Sequence, residues 1–374
     1  MELMFRRPTF ITVDLGCLGD NFREVARLAG SDSPLAPVIK SDAYGHGIIE
    51  VARQLLKVGA DRFAVSLTEE GGKLREAGID VPILVLGGSY PDQAKEIVEK
   101  RLTPVVSTFS MATALHEAAQ SQGRQIKIHL EVDTGLGRMG LLVEEVLPFL
   151  NLLKGMPFLV VEGICSTFSS ITNIEFSKRQ FGIFEKVGQE AIHVCGRPLL
   201  LHMAHSGALL RGFTRPGWLI RPGIMLYGYT RGLETSGVNL KPALTWRTEV
   251  FKIQKYPLGF PIGYGGNYRT VEGSRIALLP VGYSDGLLRS YMGKGEVLIK
   301  GKRAPLVGRF SMDWTMVEVR HLSEVHPGDE AVLIGEQGGE RISAEEMAER
   351  AGTIVDEVFV AIGRRVVRKY KGHL

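Results

Sequence analysis

The sequence predicts an α/β plus β protein: an N-terminal (β/α)8 TIM-like barrel followed by a C-terminal mostly β domain. Three observations predict it. Eight short β-rich runs follow one another from Leu35, amphipathic segments separate most of them, and after about Gly228 helices give way to strands punctuated by glycine turns. Strands buried on both faces read as continuous apolar runs, and repeated βα units require parallel pairing. An open doubly wound sheet is the competing arrangement, because the last units have short or poorly defined helices.

The eight runs are "LAPVIK", "RFAVSL", "ILVLG", "TPVVST", "IKIHLEV", "FLVVEGI", "PLLLHMA" and "WLIRPGIML". After the first, "GIIEVARQLLKVGAD" places Ile48, Val51, Ala52, Leu55 and Leu56 on one helical face, and Gly59 marks the stop. The later strand signals are "ALTWRTEVFKIQKY", "SRIALLPVGY", "GEVLIKGKRAPLVGRFSMDWTMVEV" and "GDEAVLIGE". With "TSGVNLKPALTW" as the boundary, residues 12–236 are assigned to the barrel and 237–374 to the β domain, which residues 1–11 are expected to join. "SAEEMAERAG" is expected to form a late helix capped by Ser343, with Glu346 at capping-box spacing.

A chain of 374 residues exceeds one domain of roughly 150, and 44% hydrophobic with 23% charged residues fits globular cores. No run of about 18 apolar residues occurs, so a cytoplasmic protein without a membrane partner is expected. Cys17, Cys165 and Cys195 are far apart with no CxxC spacing, and the nine histidines form no HExxH, so neither a disulfide framework nor a metal site is expected. The net charge of +4 is small, and the basic "GRRVVRKYKGH" reads as a solvated face; no nucleic-acid partner is expected.

In a barrel, chemistry sits at the C-terminal strand ends. Lys40 ends the first run, Arg138 follows the fifth, Thr167 the sixth and Ser206 the seventh, while Arg221, Gly223 and Ile224 lie on the eighth. A lysine in a partly desolvated pocket has a lowered pKa and can form a Schiff base with an aldehyde, and a phosphate seat on the same face points to pyridoxal 5'-phosphate. Ser206 and the backbone near Gly223 are candidates for that seat, and Arg221 for the pyridine nitrogen. The "GLGRMG" of Gly135 to Gly140 matches GxGxxG with Glu162 roughly twenty residues on, a dinucleotide signature. Against that reading, Arg138 sits inside the glycine frame, and the loop fits one that aims Arg138 at a carboxylate.

The ordered motifs "VIKSDAYGHG", "VDTGLGRMG", "IRPGIMLYG", "LPVGYSDG" and "GRFSMDWTMVEV" make the chain similar, over nearly its whole length, to the alanine racemase family of fold-type III pyridoxal-phosphate enzymes. The resemblance implies a head-to-tail homodimer with shared active sites that interconverts L- and D-alanine and supplies D-alanine for peptidoglycan. It implies that Lys40 carries the cofactor and is one catalytic base, and that Tyr283 of the partner subunit is the other. By the same likeness Tyr44, Ser206, Gly223 and Ile224 bind phosphate, Arg221 the pyridine nitrogen, and Arg138 the cofactor oxygen and substrate carboxylate. Met312, through its backbone, completes the carboxylate site. Two bases suit racemisation, because a proton must leave one face of a planar carbon and return on the other.

Five positions depart from the family pattern. Ser166, Thr167 and Phe168 stand where it reads Thr-His-Phe, and threonine cannot titrate as imidazole does. Glu131 replaces a lysine that is sometimes carbamylated, supplying a negative charge without modification. Asp356 replaces a tyrosine at the site's mouth, and His205 an asparagine. These departures motivate a serine or broad-specificity racemase, or a pyridoxal-phosphate carrier with little turnover, as alternatives; a decarboxylase has no sequence feature in its favour.

Overall fold

The computed structural model describes residues 7–233 and 235–372, so residues 1–6 of the N-terminal segment, Glu234 and the final two residues lie outside the described residues. Two compact units are present. One comprises residues 18–43 and 48–241; the other gathers the described residues up to Cys17, the stretch Tyr44–Gly47, and Pro242 onward.

The first unit is the barrel. Strands Phe63–Val65, Ile83–Val85, Thr103–Val106, Ile126–Asp133, Leu159–Cys165 and Leu200–His202 pair in that order, all parallel. Two irregular segments close the ring. Ile39 N–H donates to Ala64 O at 2.9 Å, Val38 N–H to Pro222 O at 2.7 Å and Ala36 N–H to Ile220 O at 2.8 Å, while Leu219 and Arg221 donate to Leu201 and Ala204 at 2.9 Å each. The open doubly wound sheet is therefore excluded, because both of its edges are occupied. The first and eighth runs form isolated bridges rather than regular strands. Pro34, Pro37, Pro216 and Pro222 lack the N–H groups that a continuous ladder needs.

Helices fill the returns as their periodicity predicts. Helix Ile48–Lys57 buries Ile48, Val51, Ala52 and Leu55, and Gly59 at φ +103 follows it in the left-handed region. A polar chain runs from the exposed Lys127 to two fully buried histidines. Lys127 Nζ lies 2.5 Å from Glu162 Oε1, Glu162 Oε2 lies 3.3 Å from His129 Nε2, and His129 Nδ1 lies 2.7 Å from His202 Nε2. The two imidazoles meet across the intervening strand at Gly163, where a Cβ would lie 2.5 Å from the His129 ring. Glycine is required there by space.

The second unit is a ten-stranded sheet. Its order runs Lys252–Lys255, Arg275–Leu279, Thr315–Glu318, Lys302–Val307, Glu296–Ile299, Glu330–Gln337, Leu244–Glu249, Phe10–Asp14 and Val367–Lys371, with Glu340–Ile342 pairing Glu330–Gln337. Phe10–Asp14 pairs Val367–Lys371 in parallel and Leu244–Glu249 antiparallel, so the N-terminal strand belongs to this sheet. Helix Ala344–Ala351 has Ser343 as N-cap, its side chain accepting from Glu346 N–H at 3.0 Å. The Glu346 carboxylate takes two bonds from the Arg303 guanidinium at 2.5 and 3.0 Å.

Candidate active site

Lys40 opens an unusual turn. Ser41, Asp42, Ala43 and Tyr44 have φ of 54, 55, 54 and 53°, four consecutive non-glycine residues in the left-handed region. Each such residue costs roughly 1–2 kcal/mol, so the turn persists only where its surroundings hold it. Ala43 N–H bonds Ile39 O at 2.9 Å, Asp42 Oδ1 accepts from Ile48 N–H at 2.9 Å, and Glu70 Oε1 accepts from Ser41 N–H at 2.5 Å.

Arg138 rides on a loop folded around a carboxylate. Asp133 Oδ1 accepts from the N–H groups of Gly135 and Leu136 at 2.8 Å, and Oδ2 from Gly137 and Arg138 at 2.8 and 2.9 Å. Burial raises the Asp133 carboxyl, but these four backbone donors outweigh it and hold it below the usual range. The glycine frame that resembles a dinucleotide site thus spends its N–H groups on its own aspartate. Glu162, the acid that reading would use, pairs with Lys127 and His129 instead. The Arg138 guanidinium lies 3.2 Å from Glu131, which is buried while Arg138 is half exposed.

Ser206, Arg221, Gly223 and Ile224 occupy the seventh and eighth strand ends. Ser206 Oγ accepts from Gly223 N–H at 2.9 Å and Met225 N–H at 3.3 Å, at the start of the 3-10 turn Ile224–Tyr227. First-turn amides have no intrahelical partner, and here the Ser206 hydroxyl takes two of them, so hydroxyl and amides form one polar cluster that a phosphate oxygen would share. Arg221 is 8% exposed; its Nη2 donates to Ser166 O at 2.6 Å, and its buried Nε has no partner. A buried, unmatched donor is costly, and a ring nitrogen lone pair would satisfy it. The residues present therefore fit pyridoxal phosphate.

Thr167 and His205 are placed by packing. Gln180, fully buried, donates to Thr134 Oγ1 at 3.3 Å and Thr167 O at 3.4 Å and accepts from Ser169 N–H, fixing the loop after the sixth strand. His205 caps helix Ser206–Leu210 through Nδ1, which accepts from Gly207 N–H at 3.1 Å. Burial, aided by Arg221 and Arg231, lowers its pKa to about 4, so the ring is neutral.

Tyr44, Tyr283 and Met312 belong to the β unit. Tyr283 N–H bonds Ser311 O at 3.2 Å and Ser284 N–H bonds Met312 O at 3.0 Å, so Tyr283 and Met312 sit on adjoining segments. Both are presented outward, 40% and 52% exposed. The turn is anchored by Asp285, whose buried carboxylate takes Arg7 at 2.8 and 3.0 Å, Arg365 at 2.8 Å and Gly282 N–H at 2.8 Å. The Arg289 guanidinium lies 5.7 Å from the Tyr283 ring centroid. Asp356 is in the first turn of helix Val355–Ala361, a position that favours an acid. Sequence reasoning missed Glu70, Asp133, Asp285 and Arg289. Of these only Asp133 had a local signal, an aspartate two residues ahead of a glycine loop.

The profile of the alanine racemase N-terminal domain matches residues 13–231, and that of the alanine racemase C-terminal domain matches residues 243–370. The chain belongs to the alanine racemase family. Among relatives in that family, an alanine racemase of Carboxydothermus hydrogenoformans is 42% identical over 97% of this chain and 100% of its own, and one of Halothermothrix orenii is 38% identical over the whole of both. Among solved structures, alanine racemase from E. faecalis superposes with a TM-score of 0.90 at 31% identity, covering 99% of this chain and 100% of that one. Alanine racemase from Bacillus anthracis with bound L-Ala-P gives 0.89 at 34%, covering 98% and 96%. Among the described residues, no helix is long and apolar enough to cross a membrane.

Proposed function

We propose that this chain is a pyridoxal-phosphate-dependent alanine racemase, acting as a cytoplasmic homodimer that supplies D-alanine for peptidoglycan. The observation that carries the reading is the rim formed by successive strand ends, where Lys40, Ser206 and Arg221 lie on neighbouring segments of a closed ring and Arg221 keeps a buried donor unmatched. Pyridoxal phosphate, when bound, supplies the electron-withdrawing ring that makes the substrate α-proton acidic.

The residues divide the remaining work. The Tyr44 hydroxyl, Ser206 and the N–H groups of Gly223 and Ile224 hold the phosphate, and Arg221 donates to the ring nitrogen. Arg138, fixed by Asp133 and Glu131, pairs with the substrate carboxylate, and the Met312 backbone completes that site from the other subunit. The Lys40 amine exchanges a proton with Cα on one face and the Tyr283 hydroxyl of the other subunit on the opposite face. Free tyrosine and lysine titrate near 10 and 10.4, so both need the site to work near neutrality.

The test is purified holoenzyme with L-alanine in deuterated water, following α-proton exchange and chirality together, with borohydride reduction and peptide mapping alongside. Exchange coupled to inversion, with the label on Lys40, is expected. A label on another lysine overturns the assignment; release of carbon dioxide indicates a decarboxylase, and an inert but labelled protein a carrier.

A further inference from the structure

We propose that Glu70 is a positioning residue for Lys40, its carboxylate holding the backbone immediately after that lysine in the left-handed turn. The proposal rests on the reading of Lys40 as the cofactor-bearing lysine. The geometry is specific. Glu70 Oε1 accepts from Ser41 N–H at 2.5 Å, while Oε2 accepts from Ser66 N–H at 2.8 Å and Leu67 N–H at 3.1 Å. Ser66 and Leu67 follow the second barrel strand Phe63–Val65, and Glu70 lies in the first turn of helix Thr68–Glu76. One side chain thus ties the ends of two neighbouring segments of the ring, the irregular first run and the strand Phe63–Val65.

The bonded N–H belongs to the Lys40–Ser41 peptide. The orientation of that peptide sets ψ of Lys40 and φ of Ser41, and so the direction in which the Lys40 side chain leaves the strand end. Ser41 is at φ 54°, ψ 51°, a conformation a serine avoids unless it is held. The other braces act further along: Asp42 accepts from Ile48 N–H, and Ala43 N–H bonds Ile39 O. Among the described residues, Glu70 is the side chain seen to receive the Ser41 N–H.

A division of labour between the two oxygens makes the idea testable. In Glu70→Gln a single oxygen remains, and facing it toward Ser66 and Leu67 keeps two bonds where the reverse keeps one. The amide nitrogen then confronts Ser41 N–H, donor against donor. The helix start is retained and the brace on Lys40 is lost, which separates positioning from general stability.

The experiment compares wild-type, Glu70→Gln and the exposed control Glu69→Gln, each as holoenzyme. Relative to wild-type, Glu70→Gln is expected to release cofactor faster on dialysis, to slow borohydride trapping at Lys40 by about tenfold, and to lower kcat by a similar factor with KM for alanine nearly unchanged, since a misplacement near 1 Å can cost up to about 10²-fold. Its cofactor absorbance band should shift, its thermal midpoint should stay close to wild-type, and Glu69→Gln should match wild-type throughout. Unchanged trapping, release and band position in Glu70→Gln overturn the proposal, as does a loss explained wholly by a lower midpoint. Should the variant fail to fold, amide exchange in wild-type decides: the Ser41 N–H must be protected, and exchange at the rate of an open loop refutes the brace. A wild-type protein that takes no label at Lys40 refutes the functional reading instead, so the two failures are distinguishable.

Discussion

Replacing Asp133 by asparagine should loosen the Arg138 loop while leaving every side chain assigned to the substrate in place. The wild-type carboxylate accepts four backbone N–H groups between 2.8 and 2.9 Å. An amide keeps one oxygen, and so two of the four bonds, and turns its NH2 toward the remaining donors. Charge-assisted bonds contribute about 1.5–3 kcal/mol each, but Gly135, Gly137 and Arg138 are exposed and water recovers part of the loss, so a net cost of about 1.5–3 kcal/mol is expected. If the cost falls on the loop that presents Arg138, kcat/KM for alanine should drop roughly 10- to 100-fold, mainly through KM. The pH dependence has a definite sign. The folded Asp133 carboxyl lies below its unfolded value near 3.9, so its contribution is fully present above about pH 4 and fades as pH falls through the folded value. Urea unfolding of wild-type and Asp133→Asn between about pH 3 and 7 should show a constant gap at neutral pH that narrows in acid. A variant with wild-type stability and KM at pH 7, or a gap undiminished at the acid end, would refute the loop-holding role.

Further outcomes are expected. Mixing inactive Lys40→Ala and Tyr283→Phe subunits should restore activity through one intact site per heterodimer, and no rescue in a verified heterodimer argues against shared sites. Asp356→Tyr should raise the alanine-to-serine ratio of kcat/KM and slow cofactor loss on dialysis, an added acceptor being worth about 0.5–1.5 kcal/mol to a substrate hydroxyl; an unchanged ratio removes Asp356 from substrate choice. Gly163→Ala places a methyl group 2.5 Å from the His129 ring and Leu200 O, so it should lower the unfolding free energy by about 1–3 kcal/mol, and a neutral result in urea would show that the interior is less tightly packed than described.

The barrel was legible because its signals are local. Each apolar run sits in the ring, and Gly59 falls just past its helix as the amphipathic pattern requires. The first and eighth runs read as strands like the other six, but the prolines in and beside them, Pro34, Pro37, Pro216 and Pro222, leave isolated bridges instead. The left-handed turn was not legible: Ser41, Asp42, Ala43 and Tyr44 include no glycine, the residue that normally announces positive φ. Its brace, Glu70, is 29 residues away, and the Arg7 that clamps Asp285 is 278 residues away. Sequence reading placed Lys40, Arg138, Ser206 and Arg221 on one set of strand ends from spacing alone, whereas the carboxylates that orient their loops act through contacts that spacing does not encode.

The polar chain from Lys127 to His202 has a direction. Glu162 accepts only, its carboxyl held at about 2 by the hydrogen bond from His129, with Lys127 beside it. His129 and His202 are both neutral, since burial lowers their pKa values, and the Arg221 charge further discourages a second proton on His202. His129 must therefore offer Nε2–H to Glu162 and a bare Nδ1 to His202, and His202 must answer with its own Nε2–H. One acid thus dictates the tautomer of two rings, and every dipole along the line points the same way. Reversal would need a protonated Glu162, a proton passed from His202 to His129, and a further proton brought to His202 Nδ1, which is buried with no hydrogen-bond partner, so near neutral pH this line holds a single, standing polarity rather than an average over two.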